Sequence, residues 1–135
     1  MNYYLAHPKK SQELVREWQQ SVEARFVKCK FFNPFYTNDS MINVDELLDS
    51  ESPVDIVYKD LTLINCCDRL VAIIDSNIKY GTIFEIKHAY DMGMPITAIV
   101  LNGDENHPWL RYYCDTILTS YESFEKKIII EGMLK

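Results

Sequence analysis

The run RLVAIID, Arg69–Asp75, constrains the fold more than any other stretch of the chain. Its apolar centre, LVAII, carries no alternation, so neither face of an extended segment there could be left to water. A strand of this kind belongs inside a sheet covered on both sides, as central parallel strands are. Parallel neighbours in turn require long crossover connections, normally helices. This one short run therefore asks for a layered α/β domain, with helix-patterned segments before and after it.

The flanking sequence supplies them. NYYLA (Asn2–Ala6) reads as a first buried strand. Ser11 is placed to cap a helix whose Leu14, Val15, Trp18 and Val22 recur at helical spacing. RFVKCKFF, residues 25–32, alternates apolar and polar positions and is closed by Asn33-Pro34, the pattern of a second strand. Residues 36–50 lack periodicity and read as a loop with a short helix around VDELL. Ser52, Pro53 and Asp55 form a helix start, and that helix carries Val57, Leu61 and Ile64 on one face and ends near Cys67-Asp68.

After the central run, YGTIFEIKHAYDMGMPI reads as a helix opening at its Gly-Thr pair and closing at Gly-Met-Pro. The strand PITAIVL, a helix around HPWLRYYC, the strand TILTS and a closing helix from Tyr121 complete the order. Right-handed crossovers then predict an α/β three-layer sandwich on a mainly parallel five-stranded sheet of flavodoxin or Rossmann type. The 135 residues suit a single domain, 1–135, with one core.

Several function classes are disfavoured. Fourteen Lys and Arg against 20 Asp and Glu give a net charge of −6, which repels polyphosphate, so a nucleic-acid polymer is not an expected partner. No apolar run approaches the roughly 18 residues that span a bilayer. MNYYLAHPKK lacks a basic-then-apolar leader, so a cytoplasmic protein without a membrane partner is expected. Cys29, Cys66, Cys67 and Cys114 form no C-x-x-C pair and read as reduced packing residues. His7, His88 and His107 show no ligand spacing, so no metal is called for. The dinucleotide and P-loop glycine motifs are both missing, and the whole chain has only four glycines.

Sheets of this type bind ligands beyond the carboxyl ends of their strands, which selects the loops after Ala6, Ile74 and Leu101. The second of these leads to Glu85. Helical numbering puts Ile83, Ile86, Ala89 and Tyr90 on a buried stripe and Glu85 at its border, in a first turn whose dipole favours an ionised carboxylate. By pattern alone Glu85 is either a solvated first-turn acid or a carboxylate at the lip of a pocket, able to act as a nucleophile in glycosyl transfer.

Three segments, YYLAHP, VYKDLTLINCCDRLVAIID and GTIFEIKHAYDMGMPI, resemble in the same order the nucleoside 2-deoxyribosyltransferase family. The related deoxynucleoside-monophosphate N-glycosidases share that resemblance. The Gly-Thr-x-x-Glu segment is its most specific part. The resemblance implies that Glu85 attacks C1′ of a 2′-deoxynucleoside and expels the base, and that water or a second base resolves the covalent deoxyribosyl-enzyme. It implies that Tyr4 orients the nucleophile, that Asp60 contacts the sugar, and that Gly81 belongs to the substrate-contacting turn. Asn106 would reach the site of a neighbouring subunit in a homo-oligomer. No cofactor is implied, and the partners are a nucleoside or nucleotide and a nucleobase.

The sequence departs from the family pattern at two places. Lys79-Tyr80 stands where the transferases carry an aspartate that manages the proton on the departing base, and Asp75 is the nearest upstream acid able to substitute. His7 stands where the family has a small residue, so its imidazole is expected against the substrate pocket. With Lys9 and Lys10 beside it, that end favours a 5′-phosphate, and a monophosphate N-glycosidase or a non-catalytic nucleotide-binding protein are the alternatives.

Overall fold

The structure, a computed structural model, describes residues 1–36, 52–76 and 78–132. Strands β1 (Asn2–Ala6), β2 (Lys30–Phe32), β3 (Arg69–Asp75), β4 (Ile96–Asn102) and β5 (Thr116–Leu118) pair in the order β2-β1-β3-β4-β5. Every pairing is parallel. The helices are α1 (Gln12–Arg25), α2 (Pro53–Asn65), α3 (Tyr80–Asp91), α4 (Pro108–Tyr113) and α5 (Tyr121–Ile130). Leu70 through Ile74 are all buried, as an interior strand requires.

Side-chain alternation along the strands sends two cores to opposite faces. On one face Leu63 and Ile64 of α2, Ile86 and Ala89 of α3 and Leu110 of α4 pack with Tyr4, Leu70 and Ala72. On the other, Val15 and Trp18 of α1 and Phe124 and Ile128 of α5 pack with Tyr3, Leu5 and Ile73. Each fully buried Leu or Ile among them contributes about 1.5–3 kcal/mol of transfer free energy. The sandwich has the strand order of flavodoxin-like sheets, whose direction of winding reverses between β1 and β3. The carboxyl ends of those two strands are therefore the place for a ligand.

Several local expectations change. The second strand is only Lys30–Phe32, because the helix before it continues through Arg25 and ends in a turn. Phe26 N–H donates to Val22 O at 2.8 Å and Cys29 N–H to Phe26 O at 2.8 Å, bonds an extended chain could not make. Val27 is exposed, so the alternation read there was that of a helix end and a turn. Ser11 makes no side-chain cap bond; it ends a short 3₁₀ turn, Lys9–Ser11, ahead of α1. Leu14 and Val57, placed on buried faces by spacing, are exposed. Ser52 caps α2 as read, its Oγ accepting the N–H of Asp55 at 3.2 Å with Pro53 at the first helical position. The short helix expected around residues 44–48 lies outside the described residues.

Where β3 and β4 end, the backbone is tight. Ser76 adopts φ 97°, and its N–H donates to Asn102 O at 2.6 Å. Gly103 lies opposite at φ 136°, where a Cβ would meet Ser76 O at 2.7 Å, so only glycine fits.

Candidate active site

Tyr4 lies in the middle of β1 on the α2–α3 face, fully buried, and its hydroxyl donates to Oε2 of Glu85. Asp60, on α2, is near enough to both to raise their pKa values by like charge. Two helices and the sheet thus bring together three residues separated by 56 and 25 positions in the chain. The Glu85 carboxyl is pushed up to about 8, chiefly by burial, with the neighbouring Asp60 charge adding to it and the Tyr4 hydroxyl opposing. Asp60 is raised to about 6 by burial, against the pull of Lys59. Burial and the nearby carboxylate also lift the Tyr4 phenol well above its ordinary value, which keeps it a proton donor.

This corrects the expectation of an ionised Glu85. The helix begins at Tyr80, ahead of the Gly-Thr pair, so Glu85 lies in the second turn, where the dipole has already weakened. Loss of water then outweighs the dipole and the tyrosine together. The buried stripe of α3 is also rotated from the reading: Thr82, Ile86 and Ala89 are buried, while Tyr90 is exposed. Gly81 is a helical residue of the first turn, and a Cβ there would meet nothing within 4 Å.

Other candidates are placed elsewhere. Asp75 accepts a hydrogen bond from Ser11 Oγ at 3.2 Å and lies near Tyr121 of α5, on the face away from Glu85. Pro8, Asp75, Ile78, Lys79 and Thr82 enclose a crevice with no room for a water molecule. His7 does not line the cleft. It is buried, with Nε2 2.9 Å from Asn33 Oδ1 and Nδ1 3.2 Å from Pro8 O. Burial lowers its pKa. Just past the end of β1, the imidazole is held by Asn33, which in turn bonds Gln19 of α1.

Asn106 is exposed in the loop after β4, where its Oδ1 accepts from Arg111 Nη2 at 2.7 Å and its N–H donates to Asp104 Oδ1. Neither bond goes to Tyr4, Asp60 or Glu85. Lys9 is exposed and borders a cleft of about 450 Å³ with Pro34, Phe35, Ile56, Lys59 and Asp60. Lys9 also lines a second hollow, with Lys10, Gln12, Glu13 and Leu14. The two lysines thus share one hollow, and Lys9 alone of the pair also lines the cleft with Asp60.

The sequence reading passed over Phe35, Ile56 and Lys59. Ile56, Lys59 and Asp60 are i, i+3 and i+4 on one helix, a spacing that could have marked Ile56 and Lys59 once Asp60 was chosen. Phe35 had no such signal. Among the described residues no group of three or more His, Cys, Asp or Glu side chains could hold a metal ion. No described helix is long and apolar enough to cross a membrane.

No protein-family model and no curated protein matches the sequence. Solved structures do match. A conserved protein of Enterococcus faecalis V583 is similar over 97% of this chain and 98% of its own, with a TM-score of 0.73 and 18% identity. A 2-deoxyribosyltransferase of Bacillus psychrosaccharolyticus is similar over 93% of this chain and 90% of its own, with a TM-score of 0.70 and 18% identity. A CMP N-glycosidase of Clostridium botulinum is similar over 96% of this chain and 99% of its own, with a TM-score of 0.62 and 17% identity. At such identities the fold is what is shared. The chain has the fold of a deoxyribosyltransferase and of an N-glycosidase, the two kinds of enzyme its segments resemble.

Proposed function

We propose that this protein transfers or hydrolyses the N-glycosidic bond of a 2′-deoxynucleoside in the cytoplasm, with Glu85 as nucleophile. The observation that carries the reading is the part-buried Tyr4–Glu85 hydrogen bond beside Asp60, near the point where the sheet reverses its winding. Tyr4 engages Oε2, which leaves Oε1 as the attacking atom. Ionised Glu85 attacks C1′, and the C1′–N bond breaks with its electron pair leaving on the base, which takes up a proton from solvent water. Water or a second base then attacks C1′ and returns the carboxylate. Two displacements retain configuration. Asp60 accepts a sugar hydroxyl, and no cofactor takes part.

Fluorine at C2′ disfavours the oxocarbenium-like state, so a 2′-fluoro-2′-deoxynucleoside traps the intermediate. Intact mass spectrometry is expected to find one sugar adduct on the native chain and none on Glu85→Gln. Base release that persists undiminished in Glu85→Gln would refute the assignment.

A second reading, hydrolysis of a 2′-deoxynucleoside 5′-monophosphate, is favoured by Lys9 and Lys59 on the cleft that holds Asp60. Comparing kcat/KM for a nucleoside and its monophosphate separates the two. A phosphate that brings no gain, with Lys9→Ala silent, removes this reading.

A further inference from the structure

We propose that Phe35 is the surface on which the nucleobase lies, and that a buried row of hydrogen bonds from His7 to Glu23 holds it in place. The inference rests on the nucleoside reading above and adds to it the part of the site that meets the base.

Strands β1 and β2 pair with Tyr4 opposite Phe32, so His7 and Asn33 leave the sheet close together. From there one row of contacts runs inward. His7 Nε2 lies 2.9 Å from Asn33 Oδ1, Asn33 Nδ2 donates to Gln19 Oε1 at 3.1 Å, and Gln19 Nε2 donates to Glu23 Oε1 at 3.3 Å. Glu23 Oε2 accepts the N–H of Phe31 at 2.9 Å. The direction of the row is fixed at both ends. The N–H of Phe35 donates to Asn33 Oδ1 at 3.1 Å, which makes that oxygen an acceptor. A Glu23 carboxylate offers only lone pairs. Neutral His7 has one proton for two acceptors, and the shorter contact, Nε2 to Asn33 Oδ1 at 2.9 Å against Nδ1 to Pro8 O at 3.2 Å, favours it on Nε2.

His7, Asn33 and Gln19 are 4%, 3% and 1% exposed. Removing three polar side chains from water gains little stability even when all are bonded, because each bond replaces one to water. What the row does supply is geometry. It ends on the turn Asn33–Tyr36, which Tyr36 N–H closes by donating to Asn33 O at 3.0 Å. The ring of Phe35 rests on the His7 ring, with centroids 4.8 Å apart and planes inclined at 52°. Yet Phe35 keeps 38% of its surface open, in the cleft it shares with Asp60 and Lys9.

A large aromatic side chain fixed from behind and open in front, in a cleft with a charged rim, suits a flat heteroaromatic ring. Stacking accepts any base, since every base has a π face. With the base on Phe35, the sugar lies toward Asp60 and its anomeric carbon toward Glu85. Phe35 is thus a binding residue and His7 a positioning residue that acts through it.

The test uses the full chain. Binding of a free nucleobase, of the nucleoside and of base-free 2-deoxyribose is measured by calorimetry on Glu85→Gln, with and without Phe35→Leu. The turnover of Phe35→Leu, Phe35→Tyr and His7→Phe is measured with Glu85 intact. Phe35→Leu is expected to weaken base and nucleoside binding about tenfold, the lower end of what stacking supplies. Deoxyribose binding stays unchanged, and the loss falls on KM with kcat held. Phe35→Tyr restores binding, and His7→Phe, which keeps a ring but removes the Nε2 donor, gives a smaller loss of the same selectivity. If turnover remains Glu85-dependent while Phe35→Leu leaves base affinity and KM alone, this inference is overturned and the proposed function stands. Equal losses for base and sugar also overturn it, since they report a disturbed fold. A native chain that neither binds a base nor turns over a nucleoside removes both.

Discussion

Glu85 is packed against Tyr4 with its acidity displaced to about 8, so it is mostly protonated through the neutral range. The nucleophile proposed above must be ionised, and kcat/KM is therefore expected to climb about tenfold per pH unit up to that value and then level off. Tyr4→Phe removes the one neighbour that favours ionisation. Its limb moves to higher pH, and the loss of activity, about tenfold at pH 7, shrinks by pH 9; a pH–rate profile of both forms checks this. Stability carries the same information with its own sign. The folded carboxyl binds its proton more tightly than the unfolded one, so its contribution is complete below the ordinary value of 4.5 and is lost as pH rises toward 8. Glu85→Gln stays neutral and escapes that loss. Its Tm is expected to exceed that of the native protein by a margin that widens from pH 5 to pH 8, on the order of 4 °C per kcal/mol. The grouping of Glu85 with Tyr4 and Asp60 was legible because their segments keep a recognisable order. Their acidities were not, because these depend on how closely α2 and α3 lie on β1. The fate of His7 was hidden for a related reason: its partners Asn33 and Gln19 come from two other elements.

Elements with a strong internal signal were read well. The unbroken apolar run became an interior strand, and the Ser-Pro-x-Asp start became a capped helix whose hydroxyl accepts the expected N–H. The errors fall where helix and strand patterns overlap. Residues 25–32 alternate, yet backbone bonds back to Val22 and Phe26 make a helix end and a turn of most of them. The start of α3 was misplaced because Gly81 looks like a turn residue, whereas the chain uses Lys79 as the residue before the helix. Gly103 makes an element-scale prediction. A side chain there would combine an unfavourable φ of 136° with a 2.7 Å approach to Ser76 O, forcing apart the ends of β3 and β4. Gly103→Ala is expected to cost about 1–3 kcal/mol, read as a lower urea midpoint at unchanged slope.

At the scale of the molecule, the side of the sheet that holds Glu85 also carries exposed aromatic residues. Tyr80 and Phe84 on α3, and Trp109 and Tyr112 on α4, are each more than half exposed. Trp109 stacks on Tyr113, and Tyr112 packs beside Tyr90, so several of these rings form a cluster. We propose that a second copy of the chain covers this face, as expected of a homo-oligomer whose sites are completed across subunits. Light scattering is then expected to give a multiple of the 15.9 kDa chain mass, and Phe84→Asp a monomer. A native chain that runs as a monomer at working concentration would exclude it.

The phenol and the carboxyl it meets do not ride on the same support: Tyr4 is anchored in the sheet, and Glu85 travels with a helix held down by Ile86 and Ala89. Their separation is thus a spacing between layers, adjustable from a distance. Anything that lifts or lowers that helix by a fraction of an ångström retunes the acid, with no atom of either side chain replaced.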